Sequence, residues 1–355
     1  MPGRSPASSE TDFEIRAALP QDRAALLELA RHLNSVNLPA DGKAITRLLD
    51  ISQASFAGEL RDEAQHRYVF LLSHLPSGRV VGTSSIVAQL GTPSAPYIYF
   101  DVSSEEKYSR DLDLHFEHQV LRLGFSYDGP TELAGLVVDP RYRRHPGRLG
   151  LAISYIRFLY IAAHRPRFQD QLLAELLPPL EPDGTSHLWN ALGRRFTNMT
   201  YREADRLSHE NKDFIRDLFP TQTVYASLLN EAAQSVIGKV GHQTKGVEKM
   251  LRRIGFEYAE RVDPFDGGPH FVADTDDVVV IRSHQALIAR QLNPMAPAMP
   301  PSGALIVASL TPQAPYVRAC HAPQLIDGEQ LLLSTDVLNH LRISPGATVH
   351  AVTIP

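Results

Sequence analysis

At 355 residues, with 43% hydrophobic and 21% charged side chains, the chain has the composition of a globular protein with room for more than one domain. A net charge of −5 argues against a general nucleic-acid binder, and the single cysteine, Cys320, excludes an intrachain disulfide and a thiolate metal cluster. The polar opening residues lack the apolar core of a signal peptide and no run nears the ~20 apolar residues of a membrane span, so a cytoplasmic protein is expected.

In chain order, residues 1–11 read as a disordered start, 13–18 as a strand and 20–33 as a helix burying Leu26, Leu27 and Leu29. A second helical pattern covers residues 44–60. Residues 68–73 and 80–87, joined at Pro76-Ser-Gly-Arg79, predict a hairpin, and residues 97–100 a further strand.

The next stretch organises the rest. An apolar run over residues 132–138 ends at Asp139-Pro140, a basic turn follows, and apolar residues then recur at helical spacing through Phe158. The first turn of a helix has unpartnered N–H groups and partial positive charge, which suit a phosphate. Gly147 and Gly150 would let an anion approach the backbone, and Arg143, Arg144 and Arg148 would add forked donors. A solvated loop with its arginines in water would have the same composition.

Residues 171–176 form a short apolar run interrupted by Glu175, a carboxylate that lies either at a sheet edge in water or in a cleft. Helical patterns follow at 186–196, stopped at Gly193, and at 212–218, 224–237 and 244–254, the last ended by Gly255. Strands at 256–262 and 270–273 flank the turn Asp263-Pro-Phe-Asp266-Gly-Gly-Pro269. The four prolines of residues 291–303 mark a linker, and residues 304–355 read as a β-rich extension around a helix at 335–341. The order predicts an α/β (α+β) fold, a mixed sheet with helices on both faces. No repeat is visible, which excludes solenoids and propellers.

Taken in order, Tyr68-Val-Phe-Leu-Leu72, Asp139-Pro-Arg-Tyr-Arg143, Leu188-Trp-Asn-Ala-Leu-Gly193-Arg194-Arg195-Phe196, Val236-Ile-Gly238 and Phe265-Asp266-Gly-Gly-Pro269 resemble the arginine N-succinyltransferase family. The resemblance implies a fold similar to the Gcn5-related N-acetyltransferases over residues 12–290. It implies an acyl-CoA site with Leu136 and Val138 on the strand and Arg143, Arg144, Gly147, Arg148 and Gly150 around the pyrophosphate. The reaction implied moves succinyl from succinyl-CoA, a co-substrate, to the α-amino group of L-arginine in arginine catabolism. No tightly bound cofactor and no metal are expected. A homo-oligomer or paired-subunit assembly is expected, since the edge strands of the extension would need a partner. Another amine such as ornithine, or a non-catalytic CoA-binding partner subunit, are the alternatives.

The chemistry needs a base for the amine, donors for an oxyanion and a proton for the thiolate. The resemblance implies a proton-donating histidine in a Val-His-Pro-Gln-Thr segment, where this chain reads Val240-Gly241-His242-Gln243-Thr244. His242, one place later, becomes the candidate, or else a surface histidine at a helix start. The family also reads Ala-Glu-Met-Arg-Gly where this chain has Ala174-Glu175-Leu-Leu177-Pro178; the carboxylate of Glu175 is retained and the arginine is not. Asp266 is read as a substrate contact or as a turn cap. Arg194 and Arg195 are read as grips for the succinyl carboxylate or as helix-ending charges, and Trp189 as core.

Overall fold

The computed structural model describes residues 12–33, 40–92, 95–208, 212–293 and 303–355. The expected disordered start at 1–11 and most of the proline-rich linker, 294–302, lie outside the described residues. The chain divides into two compact units, one of Met1–Ala88, Leu133–Gln169 and Thr275–Pro355, the other of Gln89–Glu132 and Asp170–Asp274.

The first unit opens with β1 (Phe13–Ala17), α1 (Arg23–Leu33) and α2 (Gly42–Ala57). α2 buries Ile45, Leu49, Ser52 and Phe56 at helical spacing, and its ends are fixed by caps. Asp41 accepts the N–H groups of Lys43 and Ala44, and Gly58, at φ 70°, closes the helix before the expected residue 60. β2 (Arg67–His74) and β3 (Arg79–Val87) form the expected hairpin, β2 also pairs with β1, and with α2 and the later helix Leu149–Ala163 packed on it the residues Tyr68–Ser73 are buried on both faces.

The second unit begins with β4 (Tyr97–Ser109) and β5 (Leu114–Ser126), an antiparallel hairpin far longer than the strand expected at 97–100. Its outer half is largely exposed: residues 103–107 of β4 are polar, while Leu112, Leu114 and Phe116 alternate with polar residues into the start of β5 without being buried. β6 (Thr131–Val138) starts in this unit, where Thr131 and Glu132 pair in parallel with Leu172 and Leu173. It continues into the first unit, where α3 (Leu149–Ala163) is buried on almost every side.

In the second unit, β7 (Gln171–Glu175) is followed by α4 (His187–Ala191) and α5 (Gly193–Thr197), two short helices where the sequence predicts one. Gly193 begins the second helix; a Cβ there would lie 2.4 Å from the Trp189 ring. Trp189 is fully buried and stacks on Phe265 with ring centroids 5.1 Å apart, a core role as expected. α6 (Tyr201–Ser208) and α7 (Asp213–Leu218) follow. The helix expected at 224–237 is instead β8 (Val224–Tyr225), a single 3-10 turn and α8 (Glu231–Val236). Asn230 accepts the N–H of Ala233 and starts a new helix, while Val224 and Tyr225 pair with β5. α9 (Lys245–Arg253), β9 (Glu257–Val262) and β10 (Pro269–Asp274) complete this unit. Its strands run β7-β10-β9-β4-β5-β8, over a core that includes Trp189, Phe100, Val262 and Phe265.

The chain returns to the first unit with α10 (Val279–Arg282), β11 (Gln285–Gln291), β12 (Ala304–Leu310), β13 (Val317–Pro323), β14 (Ile326–Asp327), β15 (Gln330–Leu333), α11 (Thr335–Leu341) and β16 (Thr348–Thr353). β13 pairs with β1 at Ile15↔Ala319, so these β-rich residues join the same sheet as the N-terminal strands. Glu14 and Arg318 form an ion pair across that junction. β15 lies parallel to β11 and the other pairings here are antiparallel, giving the mixed α/β class expected. Among the described residues, no helix is long and apolar enough to cross a membrane.

Candidate functional site

Two groups of candidate residues stand in the two units. In the first, β6 delivers the chain to the basic turn. Its residues alternate, with Leu133, Gly135 and Val137 buried and Ala134 and Leu136 partly exposed. Gly135 has φ 58°, a conformation costly for other residues inside a strand. Asp139 caps the turn through the N–H of Arg141 and grips its guanidinium at 2.6 Å, which holds the carboxyl below its ordinary range. Arg141 is thereby tied down, and Arg143 donates through Nε to the Val138 carbonyl at 3.0 Å.

Arg144 and Arg148 are exposed. Gly147 donates its N–H to His145 Nδ1 at 3.1 Å, and the space beside Gly150 is open for 4 Å. Arg148 stands before α3 at φ 49°, and the N–H groups of Leu149 and Gly150 have no partner among the described residues. These are orphan donors at a helix start with cationic side chains beside them, an arrangement that can take a phosphate. α3 is tied to β6 through Arg157, itself 2% exposed, whose Nη1 donates to the Ala134 carbonyl at 3.3 Å.

In the second unit, the antiparallel register of β7 and β10 sets Glu175 opposite His270. His270 Nε2 lies 3.5 Å from Glu175 Oε1, and Nδ1 lies 2.6 Å from the Tyr97 hydroxyl. The turn before β10 adds Asp263, whose Oδ1 accepts the N–H groups of Phe265 and Asp266, and Asp266, whose Oδ1 accepts that of Gly268 at 2.7 Å. The turn is closely fitted: a Cβ at Gly268 would lie 2.4 Å from the Leu176 carbonyl oxygen. Tyr201 donates its hydroxyl to Asp266 Oδ2 at 3.5 Å.

Burial, then the charges of Glu132 and Asp263, raises the Glu175 carboxyl well above its ordinary range, against the opposing pull of Lys212. Burial, then Asp263, raises Asp266 likewise, and Asp263 is pushed up to about 6, chiefly by burial. His270 is driven down to about 3, by burial first and then by Arg261 and Lys212, so it is neutral. One atom from each of Glu175, Asp263 and His270 lies within 4.8 Å of the others. Carboxylates held this close favour a cation between them, and an incoming ammonium or guanidinium would lower their proton affinities.

The structure thus brings Glu175 and Asp266 into one electrostatic group. Asp266 is also the turn cap of the blander reading, with one oxygen spent on Gly268. His242 is exposed, on the turn before α9. Arg194 and Arg195 are exposed on α5. Asp263, His270, Tyr97 and Tyr201 were not singled out from the sequence. The one available signal was the strand pattern after the Asp-Gly-Gly turn; its pairing with a strand about 95 residues earlier is not a local property.

The sequence matches the family described as "Arginine N-succinyltransferase beta subunit" over residues 13–280. It is 32% identical to an arginine N-succinyltransferase of Enterobacter sp. (strain 638), covering 96% of this chain and 97% of that one. It is also 32% identical to an arginine N-succinyltransferase subunit beta of Pseudomonas aeruginosa, covering 96% and 98%. Among solved structures, the arginine/ornithine succinyltransferase subunit AI from Pseudomonas aeruginosa superimposes with a TM-score of 0.82 at 28% identity, covering 97% of this chain and 99% of that one. On the extent of these matches, the chain belongs to the arginine N-succinyltransferase family.

Proposed function

We propose that the protein is a cytoplasmic acyltransferase that moves the succinyl group of succinyl-CoA to the α-amino group of L-arginine. The observation that carries this reading, beside family membership, is the group of Glu175, Glu132, Asp263 and Asp266 acting on one another in the second unit. Such a site suits an acceptor that arrives with two positive charges, as arginine does. Asp266 is assigned to the acceptor's cationic end and Glu175 to its ammonium.

The amine attacks only when neutral. Glu175, with its raised proton affinity, is the base assigned to take the ammonium proton. The nitrogen lone pair then adds to the thioester carbonyl, the tetrahedral oxyanion collapses, the C–S bond breaks, and the CoA thiolate takes up a proton. His242 is assigned that last proton, which water can also supply. The N–H groups at the start of α3, with Arg143, Arg144, Gly147, Arg148 and Gly150, are assigned to the pyrophosphate, and Leu136 and Val138 to the pantetheine arm. Arg194 and Arg195 are assigned to the succinyl carboxylate.

The protein is further inferred to work as an oligomer, a second copy or a paired subunit covering the outer part of the β4–β5 hairpin. Tyr108, Leu112, Leu114 and Phe116 are exposed there, a concentration of large apolar side chains unusual for a free surface. The reaction is tested by following thiol release from succinyl-CoA, with acetyl-CoA as control, against arginine, ornithine, lysine and agmatine. The reading predicts succinyl-CoA and arginine as the best pair. CoA binding without turnover on any acceptor would leave a non-catalytic subunit.

A further inference from the structure

L-Arginine carries its α-carboxylate on the same carbon as the amine that reacts, and the acceptor site described above is acidic. Glu175, Asp263 and His270 each have one atom within 4.8 Å of the others, and the charges of Asp263 and Asp266 both act on Glu175. A further carboxylate brought among these groups is repelled unless a positive charge meets it. That charge must stand near Glu175, because the amine and the carboxylate are only one carbon apart.

Two cations act on this group. Arg261 is committed elsewhere: its Nε lies 3.0 Å from Asp101 Oδ1, and its guanidinium covers the Tyr99 ring at 4.1 Å. Lys212 acts on Glu175, on Asp263 and on the neutral His270, yet its ammonium has no hydrogen bond or ion pair among the described residues. Its place is set by the helix it precedes. Phe214, at the start of α7, meets the Phe265 ring edge-on with centroids 6.3 Å apart, and Ile215 is buried in the same core as Phe265. Phe265 stands in the turn between Asp263 and Asp266, so the packing that seats α7 also holds the half-buried Lys212 beside the carboxylates.

We propose that Lys212 binds the α-carboxylate of the acceptor and so sets a preference for the amino acid over the amine of the same skeleton that lacks it. The inference rests on the reading of the acidic group as the acceptor site. The ammonium of Lys212 supplies charge-assisted donors to a carboxylate, and without that ligand its charge is spent on no partner. An acceptor with no carboxylate leaves Lys212 unpaired and brings further positive charge toward it, which is the basis of the discrimination.

The test measures the KM for L-arginine and, by competition with arginine, the inhibition constant of agmatine, which is arginine without its carboxylate. The proteins compared are the parent, Lys212→Met, Lys212→Gln and Lys212→Arg. The parent is expected to hold arginine at least tenfold more tightly than agmatine. Lys212→Met should raise the arginine KM at least tenfold and leave the agmatine constant within about threefold or lower it, since removing a positive charge deepens the pull of the carboxylates on a cation. Lys212→Arg should restore most of the arginine affinity.

An equal weakening of both ligands in Lys212→Met, as a purely structural role would give, or an arginine KM unchanged in that folded variant, overturns the proposal. If Lys212→Met does not fold, Lys212→Gln is read in the same way, and a parent protein that binds agmatine as tightly as arginine overturns the proposal with no variant at all. No turnover of arginine by the parent would instead remove the acceptor-site reading itself, and the inference with it, an outcome distinct from an active parent whose Lys212→Met variant handles both ligands alike.

Discussion

Gly241 and Pro178 approach so closely that a Cβ at position 241 would lie 2.6 Å from the Pro178 carbonyl oxygen. The Gly241 N–H donates to the neighbouring Leu177 carbonyl at 2.8 Å, and the Thr244 hydroxyl reaches that same oxygen at 2.9 Å. The two places where this chain departs from the family pattern, residues 177–178 and 241, are therefore one contact. Inserting the family histidine, Gly241→His, is expected to destabilise the fold by about 1–3 kcal/mol through overpacking. Urea denaturation of Gly241→His and Gly241→Ala checks this: both are expected to lose stability because the obstructing atoms are backbone, and an unchanged midpoint in Gly241→Ala would show that the contact relaxes freely.

His242 stands exposed beside that contact and is assigned only a proton that water can also deliver. His242→Ala is accordingly expected to lower kcat by less than about tenfold, below the 10²–10⁴ range of a positioned acid. Steady-state turnover with arginine near neutral pH decides it, and a hundredfold loss would make His242 the principal acid.

Asp263 gives a pH dependence of stability. Its proton affinity is raised to about 6 in the folded chain, so between the unfolded carboxylate value and 6 the folded state holds the proton more tightly. The associated stability is complete below the unfolded value and is lost as pH rises through 6. Asp263→Asn keeps an oxygen for the Phe265 and Asp266 N–H groups and carries no charge. It should raise the urea midpoint relative to the parent at pH 8 and not at pH 4, by on the order of 1 kcal/mol. Equal effects at both values would show that the charge is not the cause.

At the basic turn, Arg144→Ala is expected to raise the KM for succinyl-CoA several-fold with kcat little changed, since its charge meets a group remote from the bond that breaks. With a succinyl-pantetheine thioester, which lacks the pyrophosphate, the same variant should match the parent. An equal loss on both donors would place Arg144 elsewhere in the reaction.

Much of the fold was legible because it is local. The β2–β3 hairpin, the run from β6 through the basic turn to α3, and the strands around the Asp263–Pro269 turn all announce themselves through periodicity, glycine and proline. The outer half of β4–β5 did not, because residues 103–107 are wholly polar and the alternation of Leu112, Leu114 and Phe116 has no matching apolar face on the partner strand, and β11 was passed over between two clearer signals. The candidate site was legible where a chemical group interrupts a pattern, as Glu175 does in its apolar strand. His270 was hidden because its meaning comes from strand register: nothing near it in the sequence shows that it faces Glu175. Gly241 was visible as a missing histidine, but the carbonyl that leaves no room for a side chain belongs to a segment more than sixty residues earlier.

The most direct measurement follows formation of N-succinylarginine by mass spectrometry from succinyl-CoA and arginine, in parent protein and in Glu175→Gln. The account predicts arginine-dependent product with one free thiol released per product, and a rate at least about a hundredfold lower in the variant. Product formed at the parent rate by Glu175→Gln, or no product from the parent protein, would contradict it.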